Sequence, residues 1–175
     1  MRHNGATSEA RRDELRGVVE RVTYHNEATG FCVLRVRVRG RREPVTVVGS
    51  APAVTPGEHL QAVGEWVLDR KHGRQLRAEI LRLATPTSAL GVETYLSSGA
   101  VRGVGPHLAG RLVRAFGARV FQVIEEEPER LEQVDGIGPK RRAQLESAWR
   151  EQRVVHEIML FLHAHGLGTA RAFRI

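Results

Sequence analysis

From about residue 15 to residue 83, apolar and polar positions alternate with a period of two, and beyond that the period is helical to the end. The alternating half predicts five short strands, over 17–24, 31–38, 45–49, 60–68 and 75–83. The second is the clearest. It sets Cys32, Leu34, Val36 and Val38 on one face, and Phe31, Val33, Arg35 and Arg37 on the other. The fourth sets Leu60, Ala62, Trp66 and Leu68 on one side, with Gly64 among them. Between the strands lie a His25–Gly30 turn, a basic turn over 39–44, a proline-containing connection over 50–58 and a charged turn over 69–74. Five short strands with tight turns and internal glycines predict a small closed barrel of the OB type. The 50–58 connection, with Pro52 and Pro56, is too short and too proline-rich for the helix such barrels often insert.

The helical half predicts helices over 92–97, 106–116, 119–127 and 129–134, and then no helix breaker from Pro139 to His165. The pattern leaves open whether that last stretch is one helix or two meeting near Arg153. Residues 84–88 (ATPTS) read as a hinge. The expected fold class is α+β, with residues 1–14 a flexible N-terminus, residues 15–84 an OB-like barrel, and residues 89–175 an all-α domain.

Within the all-α domain one unit recurs. VRGVGPHLAGRLVRAF (101–116) aligns with VDGIGPKRRAQLESAW (134–149), so that Gly103, Val104, Gly105 and Pro106 fall on Gly136, Ile137, Gly138 and Pro139. A third copy begins at Gly166 and Gly168, includes Arg171, and is cut at Ile175 before its second helix is complete. A whole helix–turn–helix unit in tandem is a strong architectural signal. The chemistry it implies is that of a helix–hairpin–helix. Glycines free the turn of side chains, proline suits the first helical position, and the free amides of the helix start form an anion site. In the second copy Lys140, Arg141 and Arg142 follow at once, whereas the first has His107, Leu108 and Ala109. The second hairpin is therefore the better phosphate ligand, and the first is as suited to packing. On the barrel, Arg35 and Arg37 flank Phe31 and Val33, an arrangement that fits either a single-strand track or a solvated arginine face.

Composition narrows the class. The 175 residues carry 27 Lys and Arg against 20 Asp and Glu, a formal charge of +7, with a pI near 10.8. That balance favours a polyanion, and nucleic acid before a membrane surface. The single cysteine, Cys32, cannot close an internal disulfide, and the N-terminus lacks an export signal, so a cytoplasmic protein is expected. The segment from Gly105 to Leu112 imitates a phosphate loop, but Arg111 stands for the lysine and Leu112 for the magnesium-binding hydroxyl. His163 and His165 have no cysteine or carboxylate to complete a metal set. Nothing pairs a nucleophile with a base, so the chain is expected not to be an enzyme and to hold no cofactor.

A barrel followed by tandem hairpins resembles the N-terminal region of bacterial RecD-like ATP-dependent DNA helicases. The resemblance rests on GVVERVTYHNEATGFCVLRV (17–36), VTVVGSA (45–51), both complete repeats and FLHAHGLGTARAFRI (161–175). It implies a superfamily 1 motor that moves 5′ to 3′ along single-stranded DNA. ATP and magnesium would belong to that motor, whose Walker residues have no counterpart here. It also implies DNA, single-stranded or at a junction, as the partner, together with the chain's own motor domains and a further repair protein. The reading set against it is a structural or protein-interaction module with little DNA contact.

Overall fold

The computed structural model describes residues 11–164. Five strands, β1 (Arg12–His25), β2 (Phe31–Arg37), β3 (Val45–Ser50), β4 (His59–Asp69) and β5 (Gly73–Ala84), close into a barrel in the order β1-β2-β3-β5-β4. All neighbouring pairs are antiparallel except β3 with β5. The alternation anticipated on β2 is present: Cys32, Leu34 and Val36 are fully buried, and Val38 packs against the same core. They meet Leu15, Val19, Val47, Leu60, Ala62 and Leu76 inside the barrel.

Closure depends on the length of β1. Its first half pairs with β4, Arg12 opposite Glu65, and its second half pairs with β2, Val22 opposite Leu34. The change of partner comes at Gly17 and Val18. A Cβ on Gly17 would run into the Arg37 carbonyl and the Val36 side chain, so only glycine lets β1 cross so close to β2. The strand thus starts at Arg12, ahead of residue 17, where the first strand was expected, and of the barrel boundary expected at residue 15. Arg12, Asp13 and Glu14 lack alternation, and backbone pairing to β4 holds them. Leu68 also departs from expectation. The β4–β5 ladder shifts register between Val63 and Gly64, and Leu68, near the strand end, is 80% exposed. The 51–58 connection holds no helix, as anticipated.

Four α-helices follow: α1 (Ala89–Ser97), α2 (Pro106–Phe116), α3 (Val120–Glu126) and α4 (Pro139–Ala164). Short 3-10 turns, Gly117–Arg119 and Pro128–Gln133, precede α3 and the second glycine turn. The segment expected as a helix over 129–134 is thus a 3-10 turn opened by Pro128. α4 is unbroken, which settles the open alternative in favour of one helix. Repeat-related residues pack into one core: Val101 with Val134, Val104 with Ile137, and Leu112 with Leu145 are all buried there. At its centre Phe121 stacks on Trp149, centroids 4.4 Å apart and planes 9° apart, with Tyr95 edge-on to Phe121 at 5.4 Å. The Trp149 indole donates to Glu125 at 2.9 Å, so this carboxylate ties α3 to α4 beside the core.

Residues 84–88 are not a free hinge. Pro86 is buried, His59 bonds the Thr87 hydroxyl at 2.8 Å, and Ser88 caps α1 by accepting the Gly91 amide at 3.0 Å. The 51–58 connection presses on the same helix. Gly57 (φ +92°) donates to the Val19 carbonyl at 2.7 Å, and a Cβ there would lie 2.5 Å from the Tyr95 nitrogen and closer still to the Gly91 carbonyl. Barrel and helices therefore meet glycine against glycine, at Gly57 and Gly91.

Candidate nucleic-acid interface

The two glycine turns have matching backbones. Gly103 (φ +87°) and Gly136 (φ +91°) occupy the left-handed region that β-carbons disfavour, so the turns themselves require them. Gly105 and Gly138 do not share that conformation, so Gly138 is not, as the glycine pair of the second turn led one to expect, a positive-φ residue beside Gly136. Gly105 has φ −100° and caps α2 without a side-chain hydrogen bond, and Gly138 accepts the Arg142 amide at 2.9 Å as α4 begins. A Cβ on either would meet nothing within 4 Å. The fold does not need glycine at these two positions. Their bare backbones leave room for an outside group to approach the helix-start amides.

The turns face a common cleft of about 580 Å³, to which the first contributes Arg102, Gly103 and Leu108, and the second Gly138, Pro139, Lys140 and Arg141. Lys140 and Arg141 are exposed. Arg141 also donates to the Gly136 carbonyl at 3.3 Å, which holds its guanidinium beside the turn. Arg142 does not join them. It reaches Glu132 at 3.4 Å, and its Nε is buried without a partner among the described residues. The basic trio of the sequence is thus two exposed cations and one structural arginine. In the first unit Leu108 and Ala109 are core residues, and His107 is exposed. Gly166, Gly168 and Arg171 lie outside the described residues.

Two further arginines stand beside the turns. Arg102 sits in the cleft and forms an ion pair with Glu151 on α4 at 3.1 Å. Arg111 of α2 donates to the Asp135 carbonyl at 3.2 Å and lies over Gly136, tying the first unit to the second turn. Arg102 was detectable in principle from the repeat, since it immediately precedes Gly103. Arg111, eight residues further on, carries no such signal. The segment that imitated a phosphate loop is the helix α2 itself.

The barrel arginines separate. Arg35 donates to the Thr46 hydroxyl at 2.7 Å and lines a groove on the outer barrel face. Arg37 is paired with Glu20 and does not line that groove. At one end of the barrel the guanidinium groups of Arg41 and Arg74 both stack on Trp66, at 5.1 and 4.4 Å from its ring. Cys32 is buried, and burial pushes its thiol up to about 11, which leaves it inert. Among the described residues no group of three His, Cys, Asp or Glu could hold a metal ion, and no helix is long and apolar enough to cross a membrane.

Residues 12–86, the whole barrel, match the family described as the OB-fold domain of the ATP-dependent DNA helicase YrrC. The chain is also 30% identical over 164 residues to the ATP-dependent RecD2 DNA helicase of Deinococcus radiodurans, a match covering 90% of this chain and 23% of that relative. It therefore spans about a quarter of the relative's length. Taken with the barrel topology, these matches make the chain similar to the N-terminal region of RecD-like helicases, with residues 12–86 corresponding to the OB-fold domain.

Proposed function

We propose that this chain is a DNA-binding accessory module of a RecD-like helicase and that its glycine turns work as tandem helix–hairpin–helix motifs. They hold the sugar-phosphate backbone without reading base sequence, because amides and exposed cations recognise phosphate and not base edges. The observation that carries this reading is the open backbone at Gly105 and Gly138, the latter lining a basic cleft shared by the two turns. Lys140, Arg141 and Arg102 supply the charge, and the uncapped start of α2 supplies free amides. The second hairpin is the main grip. The first, whose Leu108 and Ala109 are buried, contributes its turn and Arg102 while mainly packing. ATP and magnesium belong to motor domains with which the module cooperates in the cytoplasm, in repair and recombination. The chain by itself turns over no nucleotide.

Titration of the chain with labelled single- and double-stranded DNA at two salt concentrations tests this. Binding should be weak, indifferent to sequence and steeply salt-dependent, because each neutralised phosphate releases counterions. No binding at low salt, or a flat salt response, would favour a second reading as a packing or protein-interaction module. Val154, Val155, Ile158 and Leu160, exposed on the second half of α4, are the observation behind that alternative.

A further inference from the structure

The hairpin cleft is lined by Arg102, Lys140 and Arg141, and their own partners differ. Lys140 forms no ion pair among the described residues, and Arg141 is bonded to a neutral carbonyl, that of Gly136. Arg102 is held by a carboxylate, Glu151 of α4, its Nη2 donating to Oε1 at 3.1 Å. The place of that carboxylate matters. Arg102 lines two neighbouring depressions, the hairpin cleft and a smaller one of about 260 Å³ that also takes in Gly99, Ala148 and Val155. Glu151 lines only the second. The ion pair therefore draws the guanidinium off the cleft and toward the flank of α4. Both side chains are exposed, Arg102 at 81% and Glu151 at 55%. A pair so open to water adds little to the fold and is cheaply exchanged. A phosphodiester offers the guanidinium fork two oxygens at once, and Lys140 and Arg141 would hold it within reach.

We infer that Glu151 is a gate on the hairpin cleft: it holds Arg102 aside in the free protein, and the DNA backbone displaces it before Arg102 closes on a phosphate. This rests on the phosphate-binding reading of the turns and adds to it a competitor built into the fold. Affinity is thereby held below what the cations alone would give, and the first turn engages only when a phosphate is present to take Arg102. Glu151 is a positioning residue, acting through Arg102 and touching no DNA itself.

Fluorescence anisotropy of the full chain with one labelled DNA at low salt tests the exchange as a double-substitution cycle. Glu151→Gln should tighten binding about two- to fivefold, the range for releasing an exposed ion pair. Arg102→Ala should weaken binding, and adding Glu151→Gln to it should bring no further change. Glu151→Asp keeps the charge with one methylene less of reach, and should tighten binding as the glutamine does. Glu157→Gln removes an exposed acid further along the same helix and should not reproduce the gain. Thermal unfolding verifies that each variant is folded. A gain from Glu151→Gln that persists without Arg102, that Glu157→Gln matches, or that Glu151→Asp lacks would be a general charge effect and would overturn the gate. So would the absence of any gain in a chain that binds DNA. Each of these outcomes leaves the hairpin reading standing, whereas an unaltered chain that binds no DNA would overturn both.

Discussion

At the scale of single residues, each turn holds two glycines with different reasons to be glycine. Gly136 is required by its φ of +91°, so Gly136→Val should destabilise the fold by roughly 1–2 kcal/mol or more, read by thermal unfolding. Gly138 is required by nothing inside the molecule. Serine there should cap α4 at least as well as glycine and raise stability by a few tenths of a kcal/mol. Its hydroxyl would then accept an amide proposed to hold a phosphate, and DNA affinity should fall several-fold. A variant that is more stable and binds more weakly would separate the two roles in one substitution. If Gly138→Ser binds DNA as before, the amides are not the contact. The glycines themselves were legible from the repeat. The division of labour was not, because φ and open space are properties of the folded backbone.

Elements lend themselves to reading from sequence where one face is apolar and the other is not. β2 satisfied that rule, and the faces of Cys32 and Leu34 are as the alternation predicts. The start of β1 did not satisfy it, since Arg12 to Glu14 are all polar and are held by backbone pairing to β4 with exposed polar contacts to Glu79 and Gln61. The glycine-turn unit emerged from repetition, whereas the cleft joining its copies and the placing of Arg111 over the second turn depend on packing. Two elements meet at Glu58, 3% exposed where the 51–58 connection lies against α1. Burial pushes its carboxyl up from the ordinary 4.5 to about 7, against the amide of Thr55, which lowers it. Between these values the folded state holds a proton that the unfolded state has lost. Stability should therefore be highest below about pH 4.5 as far as this group is concerned, and should fall as pH rises to about 7, by roughly 3 kcal/mol as an upper limit. Glu58→Gln, which keeps the acceptor for the Thr55 amide, should flatten that part of the curve. Identical pH profiles for both proteins would rule the effect out. Trp149→Ala, which empties the stack on Phe121, should cost roughly 3–5 kcal/mol in urea unfolding.

For the molecule as a whole, the joint decides whether barrel and helices behave as one body. Glycine meets glycine there, and Tyr95, in the helical core, hydrogen-bonds Gln152 of α4 at 3.3 Å beside the same connection. Heating should give a single calorimetric transition. Gly57→Val should divide it into two, because a branched side chain cannot enter the space against Gly91 and Tyr95, and φ +92° is closed to it. A single transition in that variant would mean that the joint is not what couples the units.

The long first strand also sets a schedule for the ribosome. β1 leaves the exit tunnel first, yet half of its partners lie on β4, with Arg12 waiting for Glu65, and β3 waits for β5 with Thr46 opposite Gln75. Such distant pairings are slow to form and leave strand edges open meanwhile. A nascent chain stalled before β5 is complete should therefore be readily cut by protease, and protection should arrive abruptly once Ala84 has emerged. The helical repeats, whose contacts are more local, would be added to a barrel that has already closed.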